Sequence, residues 1–175
     1  MPSPLNGASV GVEAVRTLAL VGPSAAGKTC LSEALLHRSG MLATPGSLER
    51  GGTVSDFDPL ERRMQHSLNA TVMHLQHAGT RVHFIDTPGG PDFLGQSLPA
   101  LEAVETAAIV INAATGIEPM AVRMMAYAAS RQLDRLIIVN KIDTAADQLP
   151  ALLAQIQATF GKECLPINLP DAGGT

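Results

Sequence analysis

One segment limits the possible folds more than any other. A strand-length apolar run, Thr17-Leu-Ala-Leu-Val21, ends at a glycine and gives way to Gly22-Pro-Ser-Ala-Ala-Gly-Lys-Thr29. A helical pattern then runs over residues 28–38, with Leu31, Leu35 and Leu36 spaced to share one face. Strand, glycine loop and helix in that order open a phosphate-binding α/β unit. The octapeptide fits G-x-x-x-x-G-K-[ST], whose glycines let main-chain N–H groups curl around a phosphate at a helix N-terminus. Residues Gly22, Pro23, Ser24, Ala25, Ala26, Gly27, Lys28, Thr29 and Cys30 are therefore candidates to line it. Lys28 would reach the β- and γ-phosphates and neutralise charge during transfer, and the Thr29 hydroxyl would ligate Mg²⁺. For Cys30 only the main chain is expected to matter.

The rest of the chain continues the α/β alternation. Residues 40–65 are long, polar and aperiodic, and are read as an irregular loop. Strand-like runs at 68–76 and 80–86, separated by His77-Ala-Gly79, signal a hairpin. Further strands are expected at 107–113 and 135–139, and helices at 93–105, 119–133 and 148–160, with Pro99 interrupting the first of these. Strands alternating with helices of this length predict a mostly parallel sheet covered on both faces, with one antiparallel hairpin strand: a three-layer α/β sandwich of the P-loop NTPase type.

Two further motifs stand at strand ends. Asp-Thr-Pro-Gly at 86–89 places Asp86 where a carboxylate holds the metal through a water, and Gly89 where its N–H can approach a γ-phosphate without a Cβ in the way. Asn-Lys-Ile-Asp at 140–143 ends another strand. The Asp143 carboxylate can accept two hydrogen bonds from guanine N1–H and its exocyclic amine, which adenine cannot supply in that geometry. Asn140 and Lys141 stand in the same motif. Ser67, the last hydroxyl before the hairpin, is a candidate to complete the Mg²⁺ shell while a γ-phosphate is present. The expected metal ligands are thus Thr29, Ser67 and Asp86. His37, His66, His74, His77 and His83 show no ligand spacing and are read as surface or packing residues.

Composition excludes several other functions. There are one Tyr, four Phe and no Trp, so a base-stacking platform for nucleic acid is disfavoured. The formal charge is −4, from 12 basic and 16 acidic residues, so bulk charge cannot hold a polyphosphate, and no direct sequence-specific nucleic-acid readout is expected. The apolar runs, 136–139 among them, are far short of a bilayer span, and the first residues show no secretory signal. The two cysteines, Cys30 and Cys164, have no metal spacing and fit a reduced, cytoplasmic setting.

With its three motifs in order, the chain resembles the GTP-binding domain of translational GTPases, and more narrowly elongation factor G and the bacterial elongation factor G-like proteins. The similarity rests on residues 22–29, on Gly-Thr-Val-Ser-Asp-Phe-Asp-Pro at 52–59, and on 86–89 followed by Asp92-Phe93. It also rests on 140–143 and on Leu-Pro-Ile-Asn-Leu-Pro at 165–170, and it runs from about Leu18 to Pro170. It implies GTP/GDP and Mg²⁺ as ligands, the ribosome as partner and hydrolysis stimulated by it. The Pro/Gly/Ser-flavoured start is read as a flexible lead-in at 1–16, and the resemblance implies the nucleotide domain at 17–164 and the start of an inserted subdomain at 165–175. The family's sheet carries one more strand, so the resemblance implies a fold truncated before its final strand and a fragment of a longer protein.

Three departures set this chain apart. Elongation factor G has a histidine after Asp-Thr-Pro-Gly that helps place the attacking water, and here that residue is Gly90. Members that bind a monovalent cation in the phosphate loop have an acidic residue where this chain has Ala25. Pro99 lies inside the helix expected after Asp-Thr-Pro-Gly. The first two point to a slow or differently triggered GTPase, with two alternatives: a GTP-binding switch module with little or no hydrolysis, or an incomplete fragment that binds nothing alone.

Overall fold

A computed structural model describes residues 11–47, 52–55, 58–64 and 67–169. His66, Asp56 and Phe57 of the 52–59 motif, most of the lead-in and the last six residues lie outside these. Strand β1 (Val15–Val21) is followed by helix α1 (Lys28–Arg38), which begins at Lys28 as its sequence predicts. Then come α2 (Pro59–Met64), the hairpin β2 (Thr71–His77) and β3 (Thr80–Asp86), and α3 (Leu94–Glu102). The chain continues through β4 (Thr106–Asn112), α4 (Pro119–Ser130), β5 (Asp134–Asn140) and α5 (Leu149–Phe160).

The sheet has five strands in the order β2-β3-β1-β4-β5, parallel except for the β2–β3 hairpin. Its two-residue turn uses Ala78 at φ 47° and Gly79 at φ 80°, the left-handed pair a tight hairpin requires. Alternation along the central strands feeds two cores. Ala19 and Val21 of β1 and Ile109 and Ile111 of β4 face Leu101 of α3, Met124 of α4, and Leu152 and Ile156 of α5. Leu20 and Val110 face the other way, with Leu36 of α1 and with Met73, Leu75 and Phe84 of the hairpin. This is the expected mixed, mostly parallel sandwich.

Four details differ from the sequence reading. Residues 59–64, assigned to an irregular loop, form α2. The signal for it is a capping box: Asp58 Oδ1 accepts the Leu60 N–H at 2.7 Å, Pro59 takes the first helical position, and Glu61 Oε2 accepts the Asp58 N–H at 3.2 Å. Second, the inward face of α1 is not a leucine stripe. Ser32, Glu33 and Leu36 are buried while Leu35 is exposed, because Glu33 is needed inside as a hydrogen-bond acceptor. Third, α3 starts after a single 3₁₀ turn at Pro91–Phe93 and carries Pro99 within it. Fourth, β2 starts at Thr71, leaving Leu68 and Asn69 to bond Glu61 instead of a neighbouring strand.

Candidate nucleotide site

The motifs meet because each ends a parallel strand, and parallel strands deliver their carboxyl ends to one edge. The 22–29 loop follows β1, Asp86 closes β3, and Asn140 closes β5, with β1 central among them. Gly22 sits at φ 137°, and a Cβ there would run into the Val110 carbonyl of the adjoining strand. Gly27 lies at φ 91°, where a Cβ would strike the Asn140 amide. Both positions need glycine for their φ and for their space. Ala25 takes the left-handed region at φ 59° without that licence.

Lys28 is 6% exposed, and its ammonium donates to the carbonyls of Gly22 at 3.0 Å and Pro23 at 2.7 Å, across the loop. Burial pulls its pKa down from 10.5 to about 8, against the opposing pull of the Asp86 and Glu118 carboxylates. Glu118, just before α4, accepts the Thr115 hydroxyl at 2.8 Å.

Beside the loop three oxygens converge. Thr29 Oγ1 donates to Asp86 Oδ2 at 2.7 Å and stands 3.2 Å from Ser67 Oγ. Thr29 and Asp86 are both buried. All three expected metal ligands are thus together, although Ser67 lies 38 residues from Thr29 in sequence and at the end of a long loop. Two hydroxyls and one carboxylate fit a small hard cation that keeps waters and takes its other ligands from phosphates. Among the described residues no cluster of histidine, cysteine and acidic side chains offers a self-sufficient metal cage.

The 86–89 segment is pinned from two sides. Thr87 Oγ1 donates to the Leu20 carbonyl at 2.7 Å, and Ser97 Oγ of α3 to the Pro88 carbonyl at 2.9 Å. Gly89 lies flush against the phosphate loop: a Cβ would come within 2.5 Å of Lys28 Nζ and of the Pro23–Ser24 peptide. At Gly90 a Cβ would meet the Phe93 ring at 2.9 Å. A cleft of about 360 Å³ opens here, between Ser24, Gly89, Glu118 and Arg123.

At the end of β5, Asn140 Nδ2 donates to the Ala26 carbonyl at 2.9 Å and ties the third motif to the first. Lys141 follows at φ 58°, with its side-chain stem against Gly27. Asp143 is exposed, in a 3₁₀ turn over Ile142–Thr144. Cys30 is exposed at the start of α1. Sequence reasoning missed Glu33, Glu61, Thr87 and Ser97, which hold the loops, and Glu118, whose charge acts on Lys28. Of these only Glu61 carries a readable signal, its capping-box spacing from Asp58.

The model of the elongation factor Tu GTP-binding domain matches residues 13–168. An elongation factor G-like protein of Mycobacterium tuberculosis is 37% identical over 164 residues, covering 94% of this chain and 23% of its own length. Peptide chain release factor 3 of Symbiobacterium thermophilum is 32% identical over 165 residues, or 91% of this chain and 31% of that protein. Among solved structures, one from Thermus thermophilus superposes with a TM-score of 0.86 at 36% identity, over 90% of this chain and 24% of that one. The chain thus spans about a quarter to a third of the curated relatives it matches.

Proposed function

This chain belongs to the family of elongation factor Tu GTP-binding domains, and from that premise we propose that it binds and hydrolyses GTP as part of an elongation factor G-like translation factor acting on the ribosome in the cytoplasm. The observation that carries this reading is the 2.7 Å contact between Thr29 and Asp86, with Ser67 beside it, next to the buried Lys28. Main-chain N–H groups of Gly22 and of residues 24–30 cradle the phosphates, and Lys28 turns from the loop carbonyls to neutralise them. Thr29, Ser67 and Asp86 would hold Mg²⁺, which would supply charge neutralisation at the transferring phosphoryl group. Gly89 presents its N–H to the γ-phosphate because nothing larger fits there. Asn140 braces the loop, Lys141 lies along the base, and Asp143 selects guanine.

We read residues 17–164 as the nucleotide domain, and the segment from 165 onward as the entry to a further subdomain. In support, Leu165, Ile167 and Leu169 are 73%, 85% and 77% exposed, an alternating apolar series that calls for a covering partner. Gly90 offers no side chain to place the attacking water, and the Phe93 ring stands where one would grow. Losing such a group forfeits on the order of 10²–10⁴ in rate, so the domain turns over slowly until the ribosome completes it.

A second reading, a switch that binds GTP with little hydrolysis at all, draws on that same Gly90–Phe93 arrangement. GTP turnover by the purified protein with and without ribosomes separates the two. Marked stimulation by ribosomes is expected. Tight binding of a non-hydrolysable analogue with no turnover in either condition would favour the switch.

A further inference from the structure

Ser67 reaches the oxygen cluster from the end of a long loop, so its place there depends on how the neighbouring peptide units are held. They are held by Glu61, which is fully buried in α2. Its Oε1 accepts the N–H of Leu68 at 2.9 Å and of Asn69 at 3.0 Å, the two residues that follow Ser67, and the Asn69 side-chain amide at 3.4 Å. Its Oε2 accepts the Asp58 N–H at 3.2 Å and so fixes the start of α2. One carboxylate therefore joins the helix inside the loop to the peptide units beside the serine.

We propose that Glu61 is a positioning residue of the metal centre: by gripping residues 68 and 69 it holds the Ser67 hydroxyl against Thr29 and Asp86, and so sets the site's Mg²⁺ requirement for GTP. This rests on the proposed GTP·Mg²⁺ site. Removing a hydrogen-bonded neighbour that orients a metal ligand commonly costs about 10- to 100-fold in metal affinity. A carboxylate makes stronger bonds to N–H than a neutral amide carbonyl does. The effect should therefore be graded, Glu over Gln over Ala. A Glu61→Gln variant can still offer its carbonyl to Leu68 and Asn69, but turns an N–H₂ toward Asp58 or loses that bond.

The test measures the Mg²⁺ concentration that half-saturates binding of a fluorescent non-hydrolysable GTP analogue, together with amide hydrogen exchange at Leu68 and Asn69. Glu61→Ala should raise the half-saturating Mg²⁺ about tenfold and Glu61→Gln about threefold, with exchange faster in the same order. Ser67→Ala should match Glu61→Ala, and the double variant should be no worse than either, since both act through one hydroxyl. Should Glu61→Ala fail to fold, the Glu61→Gln shift decides. An unmoved Mg²⁺ requirement in variants that bind the analogue, or effects that multiply in the double variant, would overturn the positioning role alone. Absence of Mg²⁺-dependent binding in the unsubstituted protein would overturn the nucleotide reading and this inference with it.

Discussion

Lys28 shows how much chemistry one buried ammonium can carry. Burial holds its pKa at about 8, below its value in an unfolded chain. Bound phosphates would raise it again, against the background of Asp86 and Glu118. A group whose pKa rises on binding favours the ligand fully below its unbound pKa, and that benefit fades as pH climbs toward the bound value. GTP affinity should therefore hold steady below about pH 8 and fall above it, by at most about tenfold per pH unit. Titration calorimetry in buffers of different ionisation heat should find proton uptake on binding near pH 8. A flat affinity profile across the alkaline range would show that Lys28 does not meet the phosphates. Gly89 makes a second case at this scale. A Cβ there would lie 2.5 Å from the Pro23–Ser24 backbone, so Gly89→Ala must push the two loops apart. We expect a loss of affinity for a GTP analogue of about tenfold or more, read by fluorescence titration, with a much smaller loss for GDP. Equal losses would mean that Gly89 serves only the packing.

At the scale of elements, α1 and α2 each turn one glutamate inward to hold a loop by its main chain. Glu33, 2% exposed, accepts the N–H of Gly46 at 2.7 Å and of Val54 at 2.5 Å, as Glu61 does further along. Glu33→Ala leaves those amides without their acceptor, at about 1–3 kcal/mol for each one that stays buried. The melting temperature of the variant should drop by several degrees, and protease cleavage between residues 46 and 54 should speed up. An unchanged melting curve would show that water replaces the carboxylate at no cost. These elements also mark where the sequence was opaque. The boundaries of α1 and β3 were legible because glycine punctuation and apolar runs are local signals. The inward face of α1 was not, since a glutamate chosen to satisfy a distant backbone looks like any solvated charge. Six residues of α2 lay too briefly in a polar stretch for periodicity to register, and only the Asp58–Glu61 spacing announced them.

For the whole molecule, the order β2-β3-β1-β4-β5 makes a site from residues more than a hundred positions apart. Asn140 reaches Ala26 across 114 residues because β1, β4 and β5 run parallel and end at the same edge. The three motifs were legible in advance, since strand, turn and polar residue recur in a fixed order. The meeting of Ser67 with Thr29 was not fixed by any spacing. It depends on Glu61 and on the route of a loop that carries no period.

The most direct test of the whole account compares GTP with ATP, each with Mg²⁺, binding to the purified protein and to its Asp143→Asn variant by calorimetry. The account predicts that GTP binds about a hundredfold tighter than ATP or better, and that the substitution removes most of that preference by weakening GTP. Comparable affinities for the two nucleotides in the unsubstituted protein, or a guanine preference that the substitution leaves unchanged, would contradict it.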